Sequence, residues 1–229
     1  MKLASLAVLL AATALAAGCG SSGPAGNGEA AKTADEILAD ALTASTKATS
    51  VHVSGSGSQG GTALALNLYL VAGKGGRGHL DVNGLAFDII RVGPTAYFKG
   101  DSKFWANFGG GVASQLLKGR WLSQASGTGA LASLSSLTDI AKLFSSILGS
   151  HGALTKGATS KVNGQPVIAL VDSSQKGILY VSTTGSPYPI KLVNTGGKGT
   201  ITFGQWNESV ALAPPADSID ISKLKAAGG

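Results

Sequence analysis

The sequence predicts an α+β domain in which helices pack on one side of a large antiparallel sheet. Apolar residues recur with a helical period near the start and in the middle of the chain, and with a period of two elsewhere. The alternating runs are joined by short links rich in Gly and Asn, which are typical of antiparallel hairpins. Helices and strands in separate blocks favour this class over a parallel α/β sheet.

The first ordered element is predicted to be a helix that begins after Thr33 and ends near Lys47. Thr33-Ala34-Asp35-Glu36 has the pattern of a capping box, in which the Thr hydroxyl and the Glu carboxylate each bond a free backbone amide. Apolar residues follow with the spacing of one helix face: Ile37, Leu38, Ala41 and Leu42.

After this helix the hydrophobic period changes to two. Val51-His52-Val53 opens a strand, and turns are predicted at Asn83-Gly84 and Gly93-Pro94. Alternate residues of a strand point to opposite faces, so a stripe of leucines predicts that one face of the sheet is apolar. The stripe consists of Leu64, Leu66, Leu68 and Leu70.

An aromatic cluster, Phe104, Trp105 and Phe108, is followed directly by three glycines. The pattern predicts a glycine-flanked loop. If exposed, this loop would suit contact with a membrane or gating of a cavity. Burial of the rings under the edge of the sheet is the alternative.

A second long helix is predicted from Ser136 to Gly149, with a broad apolar face that includes Phe144 and Ile147. Five further runs between Ala153 and Trp206 return to the period of strands. A last short segment near Ile219 is expected to close the domain.

The N-terminus has the three parts of a secretory signal: Lys2, an apolar run over residues 3–17, and small residues before Cys19. The run is shorter than the roughly 20 residues of a spanning helix. We expect a signal peptide over residues 1–18, an acylated Cys19 with a flexible tether over 19–32, and one domain over 33–229. An ordinary signal peptide, cut near residue 17 to leave a free thiol, is the alternative for this lone cysteine.

Composition and motifs argue against several function classes. The 18 Lys and Arg against 12 Asp and Glu form no basic run, so we expect no nucleic-acid partner. The histidines lie far apart, and no nucleophile with a base can be assembled, so we expect no metal, no cofactor and no enzyme. The G-x-G-x-x-G motif at 55–60 precedes a strand pattern, whereas dinucleotide binding requires a helix there. The S-x-x-K motif at 173–176 falls in a predicted turn.

Several segments resemble actinobacterial lipoproteins of the LppX/LprG type, which share the LolA/LolB-like fold. The resemblance is carried by the lipobox ending at Cys19, the helix 34–47 leading into 51–53, and the segments 162–167, 179–189 and 203–208. It implies a strongly curved antiparallel sheet, a half-barrel, that wraps part-way around a few helices and encloses an apolar cavity. It also implies diacylglycerol on the Cys19 thiol, cleavage before Cys19, and in many bacteria a third acyl chain, often palmitate.

By the same resemblance, the protein would sit at the extracytoplasmic face of the cell membrane and bind a lipid or glycolipid, as a carrier through the envelope. A partner-binding sensor with the same fold and no lipid cargo is the alternative. Six residues are candidates for the cavity, although simple core packing is the favoured explanation for each one taken alone: Leu64, Leu66, Leu68, Leu70, Phe144 and Ile147.

Overall fold

The computed structural model describes residues 25–59, 61–129, 131–196 and 199–221. Within these ranges the chain forms four α-helices, a 3-10 turn at Glu29–Ala31 and twelve strands of one sheet. The helices are α1 (Ala34–Lys47), α2 (Ser102–Leu117), α3 (Ala132–Ser136) and α4 (Ile140–Gly149). The strands are β1 (Ser50–Gln59), β2 (Thr62–Val71), β3 (Gly75–Val82), β4 (Leu85–Val92), β5 (Thr95–Gly100), β6 (Trp121–Ala125), β7 (Leu154–Val162), β8 (Gln165–Asp172), β9 (Gly177–Ser182), β10 (Pro189–Asn194), β11 (Gly199–Gly204) and β12 (Ser218–Asp220).

The strands lie in the order β12-β6-β5-β4-β3-β2-β1-β11-β10-β9-β8-β7. The sheet is curved and does not close, which confirms the predicted α+β half-barrel. Neighbouring strands are antiparallel, except that β12 pairs in parallel with β6. The long link 205–217 carries the chain back across the molecule, so β12 starts at the same end of the sheet as β6.

Helix α1 has the bounds that its capping pattern predicts. The Thr33 hydroxyl accepts a hydrogen bond from the Glu36 amide at 3.3 Å, and the Glu36 carboxylate accepts one from the Thr33 amide at 2.9 Å. The Thr33 amide and hydroxyl hold the pKa of Glu36 below its ordinary value, because they stabilise the carboxylate.

Backbone angles confirm the predicted turn at Asn83-Gly84 and show the same conformation at Asn163-Gly164. Asn83 and Gly84 have φ of 54° and 80°, and Asn163 and Gly164 have φ of 50° and 81°. Two consecutive residues with positive φ are what a type I′ hairpin turn requires.

The aromatic cluster lies in helix α2, so the prediction of a loop is wrong. Asp101 caps this helix by accepting a hydrogen bond from the Phe104 amide at 2.9 Å. Phe104 and Trp105 are buried, and Phe108 packs partly buried against the same core. The helical segment continues beyond the glycines, but Gly110, with a φ of 75°, is not helical and divides α2 into two segments at a kink. The rings are instead buried under the sheet, which is the alternative to an exposed loop given above.

The predicted helix from Ser136 begins later than expected. The chain forms the short helix α3 first, and α4 starts at Ile140 after a break. Asp139 caps α4 by accepting a hydrogen bond from the Lys142 amide at 3.1 Å. In the described ranges, no helix is long and apolar enough to cross a bilayer. The predicted signal peptide and Cys19 lie outside the described residues.

Residues 25–32 are docked on the domain, whereas we expected them to belong to the tether. We call them the N-terminal strap. Gly26 forms a β-bridge with Thr184, and the Asn27 amide donates to the Thr183 carbonyl at 2.8 Å. The Asn27 side chain donates to the Ser182 and Gly185 carbonyls, each at 3.1 Å. Residues 19–24 lie outside the described ranges, so a tether there stays a prediction.

Ion pairs fasten the other end of the strap. The Lys32 ammonium lies 2.6 Å from the Asp40 carboxylate and 2.7 Å from that of the buried Glu29. These two partners, Asp40 more than Glu29, raise the pKa of Lys32 above its ordinary value. Lys156 on β7 donates to the carbonyls of Ala30 and Lys32 at 3.1 and 2.9 Å. The strap thereby bridges α1 and the sheet edge.

The sheet has two ends, and the strap marks one of them. Gly26 of the strap pairs with Thr184, which lies in the β9–β10 turn, so we call this end of the sheet the strap end. Antiparallel pairing places the β2–β3 and β7–β8 turns at the same end. The far end carries the β1–β2, β8–β9 and β10–β11 turns.

Candidate ligand cavity

The leucine stripe of β2 faces the helices and forms part of the apolar inner face of the sheet. Leu68 and Leu70 are fully buried, Leu66 is nearly so, and Leu64 is only partly covered. Burial therefore decreases along β2 from the strap end to the far end. The unfilled space begins near Leu66 and Leu64, where the side chains of β2 become less buried.

Two chambers occupy that space, with volumes of about 390 and 360 Å³. The first lies against β1, β2, β10 and β11, and the second lies between the sheet and helices α1 and α4. Neither is fully enclosed, and each has the size of an ordinary ligand pocket. They are two parts of one groove, because both are lined by Leu64, Leu66, Leu192, Asn194 and Ile201.

Glycines of β1 and β11 line the first chamber, at a point where the backbones of the two strands leave little space for a Cβ atom. Gly55 and Gly57 occupy inner-face positions of β1, opposite Leu66 and Leu64 of β2. A Cβ atom on Gly199 of β11 would lie only 2.7 Å from the Gly57 Cα, so the two strands approach closely here. Gly55 has a φ of 150°, which an L side chain rarely adopts. The G-x-G pattern thus belongs to a strand, and it leaves room above the sheet.

Helices α1 and α4 cover the second chamber with aliphatic side chains. Leu143, Ile147 and Leu148 contribute from α4, and Leu38 contributes from α1. The polar lining is concentrated at the far end, where α4 ends and the β8–β9 turn begins. It includes Ser146, Ser150, His151, Asp172, Gln175 and Asn194.

Arg91 fastens the N-terminus of α4 to the sheet. Its side chain is largely buried; Nε donates to the Thr138 hydroxyl at 2.8 Å, and Nη2 donates to the Thr138 carbonyl at 3.0 Å. Nη2 also lies 3.8 Å from the carboxylate of Asp139, the cap of α4. This clamp fixes one end of the helix that covers the groove.

Asp172 fastens the opposite end of α4 and lines the groove. Oδ2 accepts a hydrogen bond from the Gly152 amide at 2.7 Å, just beyond the helix. Oδ1 accepts bonds from the Ser174 hydroxyl at 2.6 Å and from the Ser174 and Gln175 amides at 2.9 and 3.0 Å. The Ser174 hydroxyl, then the Gln175 and Gly152 amides, lower the pKa of Asp172 to about 2.

The structure brings four of the six predicted cavity residues to the groove: Leu64, Leu66, Leu68 and Ile147. Leu70 and Phe144 are buried in solid core instead. The Phe144 ring packs 5.2 Å from the Phe203 ring and 5.4 Å from the Trp206 ring. Ligand binding by the four lining residues stays a prediction.

Sequence reasoning missed several lining residues on β10 and β11. Leu192 and Ile201 pair across these strands on the inner face and line both chambers. The alternation of apolar residues around Leu192 and Ile201 predicts strands, but the same pattern occurs in the wall of a groove and in a solid core. The glycines of β1 were visible as a motif, but the close approach of β11 that explains them was not: Gly57 faces Gly199, and Gly55 faces the backbone of Thr200 and Ile201.

The lining contains little that suits proton transfer. His151 and Asp172 are the titratable groups of the described lining, and both oxygens of Asp172 already accept hydrogen bonds. His52 stacks on Tyr69 and His79 pairs with Asp88 at 2.8 Å, both exposed to some degree. No cluster of three or more potential metal-ligating acids, histidines or cysteines occurs in the described ranges. The arrangement is suited to holding an apolar chain beside a polar end.

Two solved structures of mycobacterial lipoproteins resemble this fold. LprF from Mycobacterium bovis superposes with a TM-score of 0.55 and 15% identity, over 80% of this chain and 97% of LprF. LppX from Mycobacterium tuberculosis aligns with a TM-score of 0.47 and 18% identity, over 78% of this chain and 99% of LppX. The predicted resemblance to this type of lipoprotein is confirmed at the level of the fold. No protein-family model matches the sequence, and no curated protein does.

Proposed function

We propose that this chain is a non-enzymatic envelope lipoprotein that binds a lipid or another hydrophobic ligand in the two-chambered groove. The observation that carries the proposal is the groove itself: an aliphatic wall, a floor that includes glycines, and polar groups gathered at one end. A solid core would need none of these features. Carriage of the ligand across the envelope is the role that such a site serves.

The chemistry of the lining favours an amphiphile as the ligand. Leucine and isoleucine side chains exclude water without offering hydrogen bonds, so they suit an acyl chain. Polar groups at the far end, among them Ser150, His151 and Gln175, suit a hydroxylated or amide head group. A ligand of this kind would place its chain toward the strap end and its head toward the far end.

Lipid on Cys19 is the second part of the proposal. Two acyl chains on one thiol give durable membrane attachment, whereas a single chain gives only marginal binding. The sole cysteine stands where a lipobox ends. Attachment at the extracytoplasmic face would keep the groove within the envelope, where lipid ligands are delivered and received.

Titration with a dansylated fatty acid tests the groove. Leu64→Trp places a large ring at the junction of both chambers, and because Leu64 is only partly covered the domain should still fold. Ala65→Trp, one residue along on the exposed outer face, is the matched control. We expect saturable binding to the wild type and the control, and a loss of at least tenfold in affinity for Leu64→Trp. Equal binding by all three proteins, or none, would contradict the proposal.

A partner-binding sensor is the second candidate, and one feature of the outer face favours it. The Tyr69 ring stacks 4.2 Å from the ring of His52, and the Arg77 guanidinium lies 5.2 Å from the Tyr69 ring centre. Aromatic and Arg side chains are enriched where proteins bind one another. Wild-type protein that never takes up the fatty acid, but binds a protein partner less well after Tyr69→Ala, would favour this function.

A further inference from the structure

The strap determines which end of the domain lies near a lipid on Cys19. Its first described residues pair with the β9–β10 turn, at the strap end of the sheet. From Cys19 to Ala25 the chain has only six Cα steps, about 20 Å at full extension. The ten-residue strands β1 and β2 are about 33 Å long. The tether is therefore too short for the far end to replace the strap end at the membrane.

The groove lies toward the opposite end. Its lining includes residues of all three turns that define the far end, or residues next to them: Thr62, Gln175, Gly177, Asn194 and Gly199. At the strap end, by contrast, the inner face is closed by fully buried residues such as Val51 and Leu70, which pair across β1 and β2.

The strap end also carries charge that matches an anionic surface. Three exposed lysines come from three different elements: Lys47 at the end of α1, Lys74 in the β2–β3 turn and Lys161 at the end of β7. The described acids near this end are Glu208 and Asp139, and Asp139 already faces Arg91. Lysines at the same end of a domain are attracted by anionic head groups when that end lies close to a membrane.

We propose that the strap end is a membrane-contact surface, where Lys47, Lys74 and Lys161 meet anionic lipid head groups, so that the groove opens away from the anchoring membrane. The inference rests on the proposed function only for the lipid on Cys19. Its consequence is that the groove exchanges ligand with a partner or carrier in the envelope space, and not directly with the leaflet that holds the anchor.

Depth-dependent quenching tests this orientation. Acylated protein is reconstituted into vesicles of equimolar phosphatidylcholine and phosphatidylglycerol that carry nitroxide head groups. Lipid occupies the thiol of the sole cysteine, so an introduced cysteine can be labelled alone with a fluorophore. Ala72→Cys reports on the strap end, and Ser173→Cys on the far end is the matched control; both positions are exposed. We expect several times more quenching at residue 72. Equal quenching, or stronger quenching at residue 173, would overturn the orientation.

Charge variants test the contact itself. Lys47, Lys74 and Lys161 are replaced together by Gln in the protein labelled at residue 72. The control replaces the same number of cations near the far end: Lys103, Lys118 and Arg120. We expect several-fold weaker quenching only for the first triple variant. Salt at about 1 M, where the screening length is about 3 Å, should weaken quenching of the unaltered protein in the same way. Equal losses in both triple variants, or no effect of salt, would overturn the lysine contact.

The lipid on Cys19 and the ligand in the groove can be disproved by separate measurements. Mass spectrometry of the purified protein that shows no acyl mass on Cys19 would overturn the membrane orientation. The same protein, without vesicles, can still be titrated with the dansylated fatty acid. Binding there would leave the groove standing, whereas absent binding with normal quenching at residue 72 would remove the ligand and keep the orientation.

Discussion

Two parts of one sheet are filled in different ways. Strands β3 to β6 are covered by α2, and aromatic rings fill the space between them; we call this the aromatic half. Phe104 packs 4.7 Å from Phe87, 4.9 Å from Trp105 and 4.8 Å from Phe108, between ring centres. Strands β1, β2 and β8 to β11 are covered by α1 and α4. Leucines and glycines lie between them at the far end, and the Phe144 and Phe203 rings pack together nearer the strap end. We call this the aliphatic half. The two-chambered groove lies mainly against the aliphatic half.

The difference shows that the cavity depends on side-chain volume more than on topology. Both halves have antiparallel strands with a helix above them. The rings fill wide gaps and pack in stacked, tilted and edge-to-face pairs, whereas Leu side chains near Gly55 and Gly57 leave the layer incomplete. Empty apolar space costs stability, so its presence in one half favours a ligand that fills it.

The largest difference is expected when a large side chain is truncated in each half: the loss of stability should be much greater in the aromatic half than in the aliphatic half. Phe104→Ala removes a fully buried ring and should lower the free energy of unfolding by about 3–5 kcal/mol. Leu64→Ala, beside existing empty space and partly exposed, should cost about 1 kcal/mol. Urea unfolding of both variants measures the difference. Equal losses would mean that the aliphatic half is packed as tightly as the aromatic half.

Loss of the Arg91 clamp should have the next largest effect. Arg91→Met removes the donor to the buried Thr138 carbonyl, while the Thr138 hydroxyl keeps its bond to the Ser135 carbonyl; the change should cost about 1–3 kcal/mol. Arg77→Met, on the exposed outer face of β3, is the control and should change stability little. Hydrogen exchange should rise in α4 of the Arg91 variant and stay unchanged in α2. Faster exchange in both helices would argue against a local clamp.

Acid should loosen the far end of α4 before the rest of the fold. The pKa of Asp172 is lowered from 3.8 to about 2 in the folded protein, so its carboxylate stabilises the fold above pH 4. This contribution is lost as the pH falls from about 4 to about 2. Asp172→Asn should therefore be less stable than wild type at pH 7, and the gap should narrow over that window.

Asp35→Asn is the control for this pH effect, because Asp35 lies exposed in the first turn of α1. Its stability should differ little from that of the wild type at either pH. A gap between wild type and Asp172→Asn that is unchanged at pH 2 would contradict the role of the Asp172 carboxylate.

The smallest effect is expected at the cap of α1. Thr33→Ala removes the hydroxyl that accepts from the Glu36 amide and should cost about 1 kcal/mol. Thr43→Ala, exposed in the interior of the same helix, should be neutral or slightly stabilising, because Ala is the better helix former. Thermal unfolding of the two variants checks the prediction; an equal decrease in both would show that the cap contributes nothing.

Much of the fold could be predicted because the relevant interactions are local. The capping box at Thr33 and the turn at Asn83-Gly84 involve residues within a few positions of each other, so the sequence carries their full signal. The stripe from Leu64 to Leu70 predicted the inner face of β2, since alternation alone decides which face a residue occupies.

Features that depend on distant residues were missed or misread. The glycines after Phe108 suggested a loop, but contacts between Phe104 and Phe87 hold the segment as a helix. The strap is held by Ser182 to Gly185, more than 150 positions away. The groove depends on the approach of β1 to β11, and Gly57 and Gly199 carry no sign in the sequence that they face each other.

Native mass spectrometry of detergent-free protein incubated with a long-chain fatty acid tests the central claim most directly. The account predicts a discrete mass increase for the wild type and for Ala65→Trp, and its loss or strong reduction for Leu64→Trp. A wild-type protein that stays free of fatty acid, or a Leu64→Trp variant that binds as well as wild type, would contradict a ligand-binding groove at this site.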